Sequence, residues 1–77
     1  DQAAISGERN LFDADITDFV AAPVHLRKDL SPGTLVIGPA LITEDQTTTV
    51  VTSNFVASVD SYGYLVLDRK VERKSDG

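Results

Sequence analysis

The stretch GPALITEDQTTTVV, residues 38–51, decides how this chain folds. A Gly-Pro pair interrupts an apolar run, and such a pair inside a strand marks a bulge, a sharp bend or a close approach of two backbones. Three threonines and two valines follow, and consecutive β-branched residues favour a strand over a helix. Glu44 and Asp45 stand between the two halves, so the stretch is either a turn between strands or part of an active site.

The two carboxylates are better explained as turn residues. Adjacent residues of an extended chain point to opposite faces, whereas general acid–base catalysis needs two groups that converge on one substrate. Asp45 also suits a turn, because its side chain can accept a hydrogen bond from a backbone N–H two residues further on. We therefore predict a turn between two strands at residues 44 and 45.

The rest of the sequence predicts an all-β protein. Residues 19–27 are predicted to be extended, with Val24 and Leu26 on one face and His25 and Arg27 on the other. Because Pro23 has no N–H to donate, this segment is either an edge strand or a strand that begins at the proline. Pro32 and Gly33 suit a type II turn, and Gly63 closes a turn before the last strand, YLVLDR. Turn signals recur about every ten residues, so we predict a small barrel or sandwich of about five to six mainly antiparallel strands.

The predicted organisation is one β domain between an acidic leading segment and a polar tail. Residues 1–18 form an acidic leading segment with a short strand at Leu11 and Phe12, residues 19–69 the β domain, and residues 70–77 a polar tail. A single helical turn around Ile16 and Phe19 is an alternative for the end of the leading segment. The predicted core consists of Val24, Leu26, Leu35, Ile37, Leu41, Val50, Phe55, Val59, Leu65 and Leu67.

Size and composition exclude several classes of function. The net charge of −5 and only seven Lys and Arg residues argue against nucleic-acid binding. No apolar run approaches the roughly 18 residues of a membrane span, and no signal peptide opens the sequence. The absence of cysteine excludes disulfides and fits a cytoplasmic protein. A chain this short buries only about 60% of the surface that its unfolded form exposes, and it has no disulfide to stabilise it. We therefore expect it to be a domain of a larger protein.

Reactive side chains do not form a recognisable set. His25 is the only histidine and has no partner at metal-ligand spacing, so we expect it to be solvated or to face a partner. The threonines at 47–49 and 52 have no nearby base that would activate a hydroxyl, and cross-strand pairing explains them. The two glycine-rich phosphate-binding motifs, GxxxxGK and GxGxxG, do not occur in the sequence. We predict no catalytic, cofactor-binding or metal-binding residue in this chain.

The order of these pieces is more specific than any one of them. The sequence APVHLRKDLSPGTLVIGPALITEDQTTTVV, then a turn and VDSYGYLVL, resembles the C-terminal end of hydantoinase A/oxoprolinase family proteins. The resemblance covers residues 22–67. It departs from the family pattern at His25, at residues 52–55 and at Tyr64. The family-pattern positions, which are also the candidate docking positions, are Gly38, Pro39, Glu44, Thr48 and Thr49.

The resemblance implies that this chain serves a larger enzyme. Family members include ATP-dependent N-methylhydantoinases and 5-oxoprolinases, which open five-membered cyclic amides, and acetone and acetophenone carboxylases. Their nucleotide site belongs to an actin-like region upstream, so ATP and a divalent metal are expected for the parent protein and not in this chain. The implied role is a non-catalytic C-terminal accessory β domain. The expected partners are upstream actin-like domains of the same chain, with a second subunit as a further candidate.

Other interpretations stay open beside this one. A carrier module would display a lysine at a tight hairpin tip, but the predicted tips contain none, and Lys28 lies before its turn. A domain of an acetone or acetophenone carboxylase-like subunit is another alternative. An enzyme in its own right would need converging groups that the sequence does not offer. If the domain docks through residues 38–49, this region should expose an apolar patch.

Overall fold

A computed structural model describes residues 5–70 as two packed β-sheets. The strands are β1 (Gly7–Asp13), β2 (Asp18–Leu26), β3 (Leu35–Ile37), β4 (Ala40–Glu44), β5 (Thr47–Val51), β6 (Phe55–Val59) and β7 (Leu65–Arg69), with one 3₁₀ turn, η1 (Arg27–Asp29). One sheet has the order β1-β2-β4-β5 and the other β3-β6-β7. The all-β prediction is confirmed, as a sandwich. Within residues 5–70 no helix has the length and apolarity needed to cross a membrane.

The pairing is antiparallel except between β2 and β4, where Val24 lies opposite Leu41 in a parallel ladder. The prediction that Pro23 marks an edge strand or a strand start is therefore wrong, because β2 begins at Asp18 and lies between β1 and β4. Pairing with β4 begins only at Val24, whereas β1 pairs with β2 from Asp18 onward. Pro23 thus occupies a stretch where β2 has a neighbour on one side only, and such a position tolerates the missing N–H.

The β1–β2 hairpin is longer than the sequence predicted. Seven residues of β1 pair with β2, and the short strand expected at Leu11 and Phe12 is part of this ladder. Ile16 lies in the turn and Phe19 in β2, so the alternative of a helical turn is wrong. The hairpin spans the boundary drawn between residues 18 and 19, and that division stays a prediction. Except for Lys70, the polar tail lies outside the described residues.

The core lies between the two sheets. It is formed by Leu30, Val36, Ala40, Ile42, Val51, Ala57 and Val59, with Phe55 and Leu65 packed against it. Of the predicted core, Val24, Leu41 and Val59 are buried, and Leu26 is half-buried. The prediction is wrong for four core residues, which are exposed: Leu35, Ile37, Val50 and Leu67.

The cause of these errors is the alternation of strand faces. Val36, between Leu35 and Ile37, is buried, and so is Val51 beside the exposed Val50. Since neighbouring residues of a strand face opposite sides, choosing the wrong parity places every side chain on the wrong face. Where both parities are apolar, the sequence offers no alternation to choose from. Leu67 lies instead on an edge strand of the three-stranded sheet.

Gly38 and Pro39 carry the chain from one sheet to the other. β3 ends in the three-stranded sheet at Ile37, and β4 begins in the four-stranded sheet at Ala40. The Gly38 N–H donates to the Phe55 carbonyl over 3.0 Å. A Cβ at Gly38 would lie 1.9 Å from the Thr52 carbonyl oxygen. The sharp bend and the close backbone approach expected at this pair are both confirmed.

We expect Gly38→Ala to lower the free energy of unfolding by about 3 kcal/mol, because the added methyl overlaps a backbone carbonyl that cannot move without its strand. That is a large share of the roughly 4–11 kcal/mol expected for a domain of this size. Urea unfolding followed by circular dichroism measures the change. Gly7→Ala is the control, since a Cβ there meets nothing within 4 Å. Equal midpoints for the two variants would contradict the close approach.

Candidate functional site

The family-pattern positions do not form one site. Gly38 is buried and Pro39 half-buried at one end of β4, whereas Glu44 is exposed at the other end. Ala40 and Glu44, the first and last residues of β4, are about 13 Å apart along the strand. Thr48 is exposed opposite Thr43, and the half-buried Thr49 lies opposite Ile42. The structure therefore assigns these positions to a crossing, a turn and a strand ladder, rather than to one cluster of side chains.

The turn predicted at residues 44 and 45 is confirmed. Glu44 ends β4 and pairs with Thr47, which begins β5. Asp45 adopts a φ of 50°, a left-handed conformation that Asp tolerates better than most residues. The exposed residues between 38 and 49 are those at 44–48, and all of them are polar. The exposed apolar patch that would favour docking through this region is not found there.

A groove borders this turn. It is lined by Leu26, Arg27, Lys28, Leu30, Thr43, Glu44 and Asp45 and encloses about 700 Å³. The Arg27 guanidinium is engaged in structural bonds, since it donates to the Leu30 carbonyl over 3.5 Å and to the Gly63 carbonyl. The groove thus offers two carboxylates and one uncommitted lysine on a partly open surface. It can bind a polar segment, but it holds no acid–base pair buried from water.

The groove does not fit the ATP and divalent metal that the resemblance implies for the parent protein. Magnesium in nucleotide sites is held by carboxylates together with the phosphates, and the phosphates need a cradle of backbone N–H groups. In the described part of the chain, no three residues among His, Cys, Asp and Glu are grouped to hold a metal. The residues that line the groove also include no glycine loop or helix start that could receive phosphates.

His25 departs from its sequence prediction. We expected a solvated or partner-facing side chain, but the residue is only 5% exposed. Its position in β2 lies opposite Ile42, a core residue of β4, so the register places it on the buried side of the sheet. The prediction of a solvated or partner-facing histidine is wrong, because β2 is covered on both faces here: the neighbouring Val24, on the opposite face, is buried as well.

A polar cluster joins the predicted acidic leading segment to the turn at residues 52–54. Asp13, at the end of β1, is completely buried. One carboxylate oxygen accepts the Asp15 N–H over 2.9 Å, and the other accepts the Ser53 N–H over 2.9 Å and the Ser53 hydroxyl. These bonds compensate the cost of removing a carboxylate from water. Asp13 therefore ties the β1–β2 hairpin to the β5–β6 turn, and no local sequence signal links residues 40 positions apart.

Asp15 reinforces the same contact from the surface. Its carboxylate accepts the Asn54 N–H over 3.0 Å. The Thr52 hydroxyl, this N–H and the charge of Arg69 hold the pKa of Asp15 below its ordinary value of 3.8, against a smaller opposing effect of desolvation. We name the two carboxylates Asp13 and Asp15, with the turn 52–54 that they bind, the aspartate clamp. It positions the hairpin and carries no substrate-binding geometry.

The fold and the clamp together define a small β-sandwich whose described polar groups serve mainly its own architecture. A family model described as the hydantoinase/oxoprolinase C-terminal domain matches residues 1–70, and the chain belongs to this family. The resemblance seen in residues 22–67 is thereby confirmed and extends through the acidic leading segment. No curated protein matches the chain.

A solved structure supplies the second comparison. The chain is similar to nucleotide-free acetone carboxylase, from work on the mechanism of ATP-dependent acetone carboxylation, with a TM-score of 0.76 and 27% sequence identity. The match covers 90% of this chain and 10% of the carboxylase chain. The chain thus spans about a tenth of the length of this relative.

Removing the buried carboxylate should loosen the hairpin. We expect Asp13→Ala to lower the free energy of unfolding by about 3 kcal/mol, because it leaves the half-buried Ser53 donors without their acceptor in the protein interior. Asp18→Ala is the matched control, since Asp18 is exposed and bonds only its neighbour's N–H. Its effect should stay within about 0.5 kcal/mol. Thermal unfolding of both variants measures the difference, and equal destabilisation would show that the clamp contributes nothing special.

Because the pKa of Asp15 is lowered in the folded domain, we expect the free energy of unfolding to decrease in acid. Its contribution is complete above the ordinary pKa of 3.8 and is lost as the pH falls through the lower folded value. We expect unfolding free energies of the wild type and Asp15→Asn to differ by a constant amount above pH 3.8 and to converge below it. Urea titrations across this range test the expectation, with Asp18→Asn as control. A gap between the curves that persists unchanged into strong acid would contradict it.

Proposed function

We propose that this chain is a non-catalytic accessory β domain of an ATP-dependent hydantoinase/oxoprolinase-type subunit that opens cyclic amides. The observation that carries the proposal is the family match over residues 1–70. The acetone carboxylase comparison supports it, because the similar region is a tenth of a much larger enzyme chain. The domain acts by position: a rigid β unit docks on the catalytic body and helps to close its site.

The chemistry of the described side chains favours a positional role. Arg27, Asp13 and Asp15 hold neighbouring elements by hydrogen bonds, and Lys70 donates to the Gly38 carbonyl over 3.0 Å. Groups committed to such bonds are poorly placed to transfer protons to a substrate. A carrier role is not favoured, since the exposed Lys28 lies in η1, which connects β2 of one sheet to β3 of the other, and not at a hairpin tip.

Under this proposal the catalytic components belong to the rest of the parent protein. ATP and its divalent metal bind to actin-like domains upstream in the same chain, and a second subunit is a further candidate partner. The parent works in the cytoplasm, for which the cysteine-free sequence is suited. Of the family-pattern positions, Glu44 and Thr48 are exposed and stay candidates for polar contacts with the body, whereas Gly38 is buried in the crossing.

An acetone carboxylase-like parent is the second candidate, and the structural likeness is the observation that favours it. The two candidates share the accessory role and differ in the reaction of the catalytic body. Assays of the full-length parent with a hydantoin, with 5-oxoproline and with acetone under carboxylating conditions distinguish them. Turnover of a cyclic amide supports the first candidate, and carboxylation of acetone supports the second.

The accessory role itself is tested by damaging this domain inside the full-length parent. We expect Gly38→Ala to reduce kcat by about a hundred-fold, because small displacements of a positioned group cost factors of this size. Gly7→Ala, the matched control, should retain full activity. The isolated 77-residue chain should show no ATPase, amide hydrolase or carboxylase activity. Full activity of a parent whose C-terminal domain is shown by proteolysis to be unfolded would overturn the proposal, as would turnover by the isolated chain.

A further inference from the structure

The tip of the β1–β2 hairpin exposes three large apolar side chains. Phe12 and Ile16 are each 48% exposed and Phe19 is 67% exposed. The two phenylalanines lie directly opposite each other in the ladder. Their rings pack edge to face, with centroids 5.2 Å apart and an interplanar angle of 71°. We call Phe12, Ile16 and Phe19 the aromatic tip.

Hydrogen bonds anchor the hairpin that carries the aromatic tip. The aspartate clamp fastens the hairpin on the Asp13 side of the turn to residues 52–54. Within the turn, Thr17 adopts a φ of 53°, which is strained for a β-branched residue. Such strain persists only where the surrounding structure enforces it, and it is concentrated at binding and switching sites. A surface fixed in advance loses less conformational entropy on binding, so this tip is suited to docking.

Other exposed apolar side chains are less suited than the aromatic tip to form a docking surface. Tyr62 and Tyr64 form a second exposed aromatic pair with centroids 6.5 Å apart, but their hydroxyl groups can remain hydrated. Leu35 and Ile37 lie on β3, which has only three residues. The phenylalanines have no polar group that water can satisfy, and aromatic anchors of this kind carry much of the binding energy of protein interfaces.

Charge and size define what the aromatic tip can bind. Asp15 and Asp18 are exposed on either side of Ile16, so a complementary surface has an apolar pocket bordered by Arg or Lys. The three side chains offer about 300 Å² of apolar surface. A stable complex between separate molecules needs about 800 Å² from each partner. A contact of this size is effective within one chain, where the linkage supplies a high local concentration.

We propose that the aromatic tip is the docking surface of this domain, seated in an apolar, basic-rimmed pocket on another domain of the same polypeptide. The proposal rests on the accessory role proposed above and identifies the surface through which that role is exercised. It also shifts the docking contact away from residues 44–48, whose exposed side chains are polar.

Site-specific photocrosslinking in the full-length parent tests the proposal. Benzoylphenylalanine replaces Phe19 in one variant, Ile37 in a second and Tyr62 in a third, and mass spectrometry identifies the crosslinked peptides. We expect position 19 to crosslink within the same chain to a peptide outside this domain that contains Arg or Lys, and positions 37 and 62 to yield no such product.

Crosslinks to the body from position 37 or 62 but not from 19 would overturn the proposal and leave the accessory role intact, because the domain would then dock by another face. A crosslink from 19 to a second copy or a separate subunit would also overturn it. A matched pair of variants adds a functional readout. Phe12→Ser/Phe19→Ser should lower the parent's activity, whereas Tyr62→Ser/Tyr64→Ser should leave it unchanged; both should lower the domain's unfolding midpoint by a similar small amount, because each removes one exposed aromatic pair. Full activity of the Phe12→Ser/Phe19→Ser variant would overturn the proposal that the aromatic tip is the docking surface.

Discussion

The contact between the Gly38 backbone and the Thr52 carbonyl is the constraint on which the sandwich depends. Two chain crossings meet there, since residues 38–39 lead from β3 to β4 and residues 52–54 lead from β5 to β6. Each crossing transfers the chain between the two sheets, so their separation sets the spacing of the layers at this end. Because Gly38 has no Cβ, the backbones can approach more closely than any other residue would allow.

Several other contacts converge on the same turn. Asp13 and Asp15 bind its backbone from the β1–β2 hairpin, and the Asn54 carbonyl accepts the Lys70 N–H over 2.7 Å. The ends of β1 and β7 are thus held to the junction between the sheets. A 77-residue chain without cysteine needs such cross-connections, because its hydrophobic core is too small to supply a wide margin of stability. The sequence spacing of these partners exceeds any local motif.

The fold class was predictable from the sequence because it is set by local chemistry. The β-branched run at 47–51, the left-handed Gly33 and the Gly-Pro crossing each act through a few adjacent residues, and each is found as expected. The strand faces were less predictable, because a run such as LVI at 35–37 is apolar on both sides and only packing decides which side is covered. The parallel pairing of β2 with β4 and the bonds of Asp13 to Ser53 depend on distant residues, so a single sequence does not reveal them.

The candidate site also combines features that adjacent residues set, which the sequence predicts, with contacts between distant residues, which it does not. The motif-like residues at 38–49 attracted attention through their spacing, yet the structure assigns them to the crossing and the turn that build the domain. The exposed side chains of Phe12 and Phe19 lie on either side of the boundary drawn between the leading segment and the β domain, and neither was predicted as a site residue. The aspartate clamp fastens their hairpin to residues 52–54, and both side chains remain exposed on it. Holding two phenylalanines in water costs free energy that the isolated domain does not recover. The junction that holds the sheets together therefore also positions the aromatic tip, so the stability of the domain is linked to the docking proposed for it.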